Sequence, residues 1–130
     1  MNKNKIDGIA NTVVKCAIEV HKDLGPGLLE SVYEVCMEHA LKKEGLNVRT
    51  QVPVPVFYDG VQMDKAFIID ILVEDEIIIE LKSVEHLLPI HEAQLINYLK
   101  LAEKKLGYLM NFNSPLMKNG IKRRMNGYFD

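Results

Sequence analysis

A strand–helix–strand succession in the second half of the chain constrains the fold more than any other feature. The run IIIELKS, from Ile77, is typical of a buried strand because three isoleucines follow one another. A helical segment with Pro89 in its first turn follows, and Gly107 is predicted to end it. The segment 108–112, YLMNF, predicts another strand. Two strands joined through a helix lie parallel in one sheet with a right-handed crossover.

Two helices are predicted before this unit, over residues 5–23 and 28–44, from apolar residues at helical spacing. The tripeptide GPG at residues 25–27 separates them, since glycine caps a helix and proline cannot continue it. Between the helices and the unit, QVPVPVFYDGVQM predicts a strand, a tight turn at Asp59-Gly60 and a second strand that continues to Val73.

The predicted order is therefore ααβββαβ, an α/β fold with a four-stranded mixed sheet flanked by helices. The length of 130 residues predicts one domain, residues 1–130. Pro53 and Pro55 place the first strand at an edge, since proline cannot donate to a neighbouring strand.

Composition argues against one class of function, sequence-independent binding of nucleic acid, without excluding a local basic patch. A formal net charge of −2 gives no overall basic field for sequence-independent binding of nucleic acid. Basic residues are local, and they are interpreted either as solvated surface or as phosphate contacts: Lys100, Lys104, Lys105, Lys118, Lys122, Arg123 and Arg124.

Cysteine usage and hydropathy indicate a reduced, cytoplasmic protein. Cys16 and Cys36 are expected to be reduced and structural, and two cysteines cannot form a four-cysteine metal site. No apolar run approaches the roughly 20 residues of a membrane span, and the N-terminus lacks the apolar segment of a signal peptide. We therefore expect no membrane partner.

Asp70 stands out because apolar residues flank it on both sides in FIIDILV. A carboxylate in such a place is unfavourable unless it is paired, hydrogen-bonded or bound to metal. If Glu74 to Glu76 form a three-residue loop, Asp70 lies directly opposite Glu80 on one face of the hairpin. A five-residue loop gives the same pairing, whereas loops of two or four residues would put the carboxylates on opposite faces.

Lys82 lies two residues after Glu80, so both side chains point to the same face of a strand. Two interpretations remain open. Glu80 and Lys82 form a surface ion pair, or Asp70 and Glu80 bind Mg²⁺ or Mn²⁺, which prefer hard oxygen ligands. In the second case Lys82 positions a water or stabilises charge in a transition state.

Two helices carry further candidates. Gly27, Glu30 and Tyr33 spell G-x-x-E-x-x-Y, and Glu30 lies at the edge of the apolar stripe. Glu30 either reaches a metal on the sheet or is only a first-turn acid that the helix dipole stabilises. On the later helix the polar residues that share one face either are solvated or hold Lys82 and contact a phosphate backbone: His91, Gln94 and Tyr98.

Together the segments GLLESVY, FIIDILVEDEIIIELKS, HEAQLINYLK and GYLMNFN resemble the GxxExxY proteins, a branch of the PD-(D/E)xK nuclease superfamily. The resemblance extends from about Val13 to Arg124 and implies a restriction-endonuclease-like core, αβββαβ. It departs from the superfamily pattern at Ile69, which stands where a proline often precedes the first acidic residue.

The resemblance also implies roles at the matching positions. Asp70, Glu80 and Glu30 would bind Mg²⁺ or Mn²⁺ and act in catalysis with Lys82 as the catalytic lysine. Four residues are expected to support the site or the nucleic acid, of which Gln94 and Tyr98 are similar to the Q-x-x-x-Y motif of RecB-like nucleases: His91, Gln94, Tyr98 and Tyr33.

Three hypotheses about function follow. The first is a metal-dependent nuclease acting on DNA or RNA. The second is a non-catalytic module on a nuclease fold that binds nucleic acid or protein, which the acidic net charge favours. The third is an assembly protein that forms a homodimer through its tail GYFD or the exposed sheet edge.

Overall fold

The computed structural model describes residues 1–130 and contains three α-helices, five strands and one short 3₁₀ helix. In chain order the elements are α1 (Lys3–Leu24), α2 (Glu30–Lys43), β1 (Val48–Tyr58), β2 (Val61–Val73), β3 (Ile77–Lys82), α3 (Pro89–Leu101), β4 (Leu106–Asn111), the 3₁₀ helix (Met117–Gly120) and β5 (Ile121–Met125).

The five strands form one mixed sheet in the order β1-β2-β3-β4-β5. β3 and β4 are parallel, as the strand–helix–strand pattern predicts, and the other neighbouring strands are antiparallel. β1 lies at an edge of the sheet, which confirms the prediction from Pro53 and Pro55. The restriction-endonuclease-like α/β architecture expected from the sequence is therefore present.

Helices cover both faces of the sheet. α1 and α2 pack on one face, and we call the large apolar cluster between them and the sheet the first core. α3 packs on the other face over a smaller cluster, the second core. The first core includes Ile6, Val13, Tyr33, Met37, Ile71, Ile79 and Phe112. The second core consists of Ile69, Leu72, Ile78, Leu95, Leu99 and Leu109.

Local signals explain the boundaries of α1. The Lys5 backbone N–H donates to the Asn2 side chain, which caps the first turn. Gly25 ends the helix at φ 70°, a conformation that glycine adopts without strain. None of the three helices has the length and hydropathy needed to cross a membrane.

Two expectations about the last third of the chain need correction. The sheet has five strands instead of four, because the basic tail after the 3₁₀ helix forms β5 against β4. The third helix ends at Leu101, and Gly107 lies inside β4 instead of ending the helix. A Cβ at Gly107 would lie 2.8 Å from a methyl carbon of Leu95, so close packing of α3 explains the glycine.

The β1–β2 hairpin changes the core that it contacts part-way along its length. Val48 and Ile71 belong to the first core, whereas Ile69 belongs to the second core and Val52 packs against it. Residues two apart in a regular strand share a face, so the hairpin turns over between these positions. The turn coincides with Gln51, which has a φ of 51°. Asp70 lies at this level of β2.

Candidate functional site

The register of the second hairpin brings the two predicted carboxylates together. Glu74 to Glu76 form a three-residue loop, and Val73 pairs with Ile77. The ladder between β2 and β3 continues to the pair Ile71 and Ile79, so the next position places Asp70 opposite Glu80. The odd-loop alternative from the sequence is thus the one observed.

At this point side chains replace the backbone in joining the two strands. The Asp70 backbone N–H donates to Glu80 Oε2 at 2.9 Å, and the Leu81 N–H donates to Asp70 Oδ2 at 2.8 Å. Each carboxylate is therefore fixed by a donor from the opposite strand. These bonds use one oxygen of each carboxylate.

Burial makes the charged form of both carboxyl groups unfavourable. It raises the pKa of Glu80 to about 8, with the negative charge of Asp70 adding to the effect. Burial also raises the pKa of Asp70, and the hydrogen bond from Leu81 opposes that shift. A divalent cation between the two groups would stabilise their ionised forms, as expected of acids in a metal site.

Lys82 is half-buried at the end of β3. Its charge lowers the pKa of both Asp70 and Glu80, so it lies within electrostatic reach of the pair. Glu80 is only 6% exposed, and none of the ion pairs in the structure includes Lys82. The surface ion-pair interpretation is therefore wrong.

Glu30 is the first residue of α2 and approaches from the helix side. Its Oε1 accepts a hydrogen bond from the Ser83 N–H at 3.3 Å, while the Ser83 hydroxyl donates to the Leu28 carbonyl at 2.7 Å. These bonds join the start of α2 to the end of β3. The charge of Glu30 also raises the pKa of Asp70, which places it within electrostatic reach of the pair.

Tyr33 supports this corner from inside the protein. It is fully buried and stacks on Phe112, with ring centroids 4.5 Å apart. Its hydroxyl donates to the Gly25 carbonyl and accepts from the Leu28 N–H, so it fixes the segment that leads into Glu30. Tyr33 presents no surface to nucleic acid, and its part in the site is to hold this segment.

The polar residues of α3 divide into two groups. His91 Nδ1 accepts from the Leu88 N–H at 3.0 Å, so its side chain caps the start of α3. Gln94 donates to the Tyr98 hydroxyl at 3.0 Å, and the Tyr98 ring stacks on Phe67. The negative charges of Glu80 and Asp70 contribute to a raised pKa of Tyr98, after the larger effect of burial. Tyr98 thus lies within electrostatic reach of the carboxylates.

Sequence reasoning missed three residues around the site. Glu34 accepts a 2.6 Å hydrogen bond from Gln51, and its charge raises the pKa of Glu80. Glu34 follows Glu30 by four residues, so helical spacing was a usable signal. The buried amide of Asn111 bonds both backbone groups of Val84 and thereby fixes the chain just after Lys82.

The donor set fits a hydrated divalent cation. No group of three or more His, Cys, Asp or Glu side chains is arranged to enclose a metal ion. Mg²⁺ commonly binds through one or two carboxylates and keeps several waters, so a closed protein cage is not needed. The carboxylates of Asp70 and Glu80 are suitable ligands for such a cation, and Glu30 lies nearby on the helix side.

Comparison with known proteins gives a family. A family model described as the PD-(D/E)XK nuclease superfamily matches residues 7–124. The chain belongs to this superfamily. No curated protein and no solved structure gives a significant match. Members of this superfamily generally use divalent metal ions, and membership implies a nucleic-acid substrate.

Proposed function

We propose that this PD-(D/E)XK protein is a Mg²⁺- or Mn²⁺-dependent nuclease that hydrolyses phosphodiester bonds of DNA, in the GxxExxY branch that its motifs resemble. The observation that carries the proposal is the pair formed by half-buried Asp70 and buried Glu80, held opposite each other, with Lys82 on the same strand as Glu80. The family match supports the reaction class.

In this proposal the carboxylates of Asp70 and Glu80 hold the cation, and Glu30 contacts it directly or through water. When bound, the cation would polarise the scissile phosphate and make an attacking water more acidic. Lys82 donates hydrogen bonds to the phosphate oxygens and stabilises the negative charge that grows on them. Gln94 and Tyr98 bind the substrate backbone, and His91 keeps the start of α3 in place.

The test is nicking of supercoiled plasmid DNA by purified protein in Mn²⁺, in Mg²⁺ and in EDTA. We expect cleavage only with a metal, and we expect Lys82→Ala to lower the rate at least 100-fold, as loss of a single charge-stabilising donor does elsewhere. Lys43→Ala is the matched control, because Lys43 is exposed on α2 and forms no ion pair. Equal rates for wild type and Lys82→Ala would contradict the mechanism.

One observation favours the second function, a non-catalytic module. Three of the seven local basic residues lie in ion pairs: Lys104 with Asp75, Arg123 with Asp7 and Arg124 with Glu92. These pairs lower the positive charge that the tail and the segment after α3 offer to a long duplex. Titration calorimetry with Mn²⁺ separates the two functions, since a module without a metal centre shows no binding heat.

A further inference from the structure

Gln51 has an unusual backbone conformation for its place in the fold. Its φ of 51° lies in the left-handed region, although Gln51 is inside β1 and is not a glycine. The other non-glycine residues with positive φ all lie in turns: Asp59, Glu74, Asp75 and Glu103. Such a conformation is energetically unfavourable and persists only where neighbouring contacts impose it.

The contacts of Gln51 lead to the metal-binding pair. In the β1–β2 register, Thr50 pairs with Ile71 and Val52 with Ile69, so Gln51 lies at the level of Asp70. Its side-chain amide donates to Glu34 Oε1 at 2.6 Å, and it is also close enough to Asp70 to lower the pKa of that carboxyl. The amide thus stands between two carboxylates, one from α2 and one from β2.

We infer that Gln51 and Glu34 are positioning residues for the metal centre, an inference that rests on the proposed function. Glu34 orients the Gln51 amide, and the amide restrains the Asp70 carboxylate, whose Oδ2 already accepts the Leu81 N–H. Asp70 is then restrained by both the Leu81 N–H and the Gln51 amide in an orientation suited to binding the cation. Hydrogen bonds of this kind fix the rotamer of a metal ligand before the metal arrives.

The variants separate the effect of the Gln51 amide group from the effect of its left-handed backbone conformation. Gln51→Gly removes the amide but keeps the left-handed conformation, which glycine adopts freely. Glu103→Gly is the matched control, because Glu103 has a φ of 56° in an exposed turn after α3. Glu34→Ala removes the acceptor for the amide, and Glu34→Gln keeps an acceptor oxygen without the charge.

Titration calorimetry with Mn²⁺ measures the first consequence. We expect Gln51→Gly and Glu34→Ala each to raise Kd about tenfold, the typical loss for a residue that supports a metal ligand. The double variant should show no additional loss, since both changes break one chain of hydrogen bonds. Glu34→Gln and Glu103→Gly should retain the wild-type Kd. Unchanged affinity in Gln51→Gly would overturn the inference, and an equal loss in Glu34→Gln would make Glu34 a ligand instead.

A second measurement needs no metal and so separates this inference from the proposed nuclease. The Leu81 N–H donates to Asp70 Oδ2, and its hydrogen exchange reports how well that carboxylate is held. In metal-free protein we expect hydrogen exchange of the Leu81 N–H to be at least threefold faster in Gln51→Gly than in Glu103→Gly. Wild type without Mn²⁺ binding would refute the nuclease, while equal Leu81 exchange in the two variants would refute the positioning role.

Discussion

The raised pKa of Glu80 makes stability depend on pH in a direction that can be tested with Glu80→Gln. The group titrates at about 8 in the folded protein and at 4.5 in the unfolded chain. Between these values the folded state holds a proton that the unfolded state releases. The contribution is fully present below pH 4.5 and is lost as pH rises through about 8. Replacing Glu80 with a group that does not titrate should therefore raise the free energy of unfolding relative to wild type as the pH rises to neutral.

The magnitude follows from the size of the shift. One pH unit corresponds to about 1.4 kcal/mol for one proton, and pH 7 lies two and a half units above the 4.5 of the unfolded chain. The free energy of unfolding of Glu80→Gln minus that of wild type should thus increase by about 3 kcal/mol between pH 4.5 and pH 7. The glutamine oxygen still accepts the Asp70 N–H, so the hydrogen bond survives.

Urea unfolding followed by circular dichroism in EDTA measures this difference at several pH values. Glu103→Gln is the control, because Glu103 lies exposed in the turn after α3 and forms no ion pair. Adding Mg²⁺ at pH 7 should raise the unfolding midpoint of wild type by mass action and leave Glu80→Gln unchanged. A difference between wild type and Glu80→Gln that stays constant from pH 4.5 to 8 would refute the buried-pair reasoning.

Two further predictions concern parts of the fold that hold the site. Gly107→Ala should lower the free energy of unfolding by about 1 to 3 kcal/mol, measured by urea unfolding, because the new methyl carbon would overlap a methyl of Leu95. Tyr33→Phe should lower it by about 1 to 2 kcal/mol, since the bonds to Gly25 and Leu28 are lost. It should also slow plasmid nicking. An unchanged free energy of unfolding in either variant would contradict the packing described.

Sequence reasoning located the carboxylate pair because strand pairing follows from counting. Once Val73 faces Ile77, the position of Asp70 opposite Glu80 is fixed. The parallel strands also follow from a general rule of chain handedness. Both inferences depend on local patterns that tertiary packing did not override.

The misses have a different physical origin. Gly107 was assigned as a helix end because glycine often plays that part, whereas tight packing under α3 requires it inside a strand. Gln51 was missed because a left-handed residue within a strand leaves no pattern in the sequence. β5 was missed because its exposed basic residues lack the alternation of a buried strand.

The change of face in the β1–β2 hairpin also has a consequence for unfolding. One continuous hairpin contributes Val48 and Ile71 to the first core and Ile69 to the second, so neither core can come apart while the other keeps the hairpin intact. The two cores are therefore expected to melt as a single cooperative unit. Signals from Tyr33 in one core and from Tyr98 beside the other should report the same midpoint.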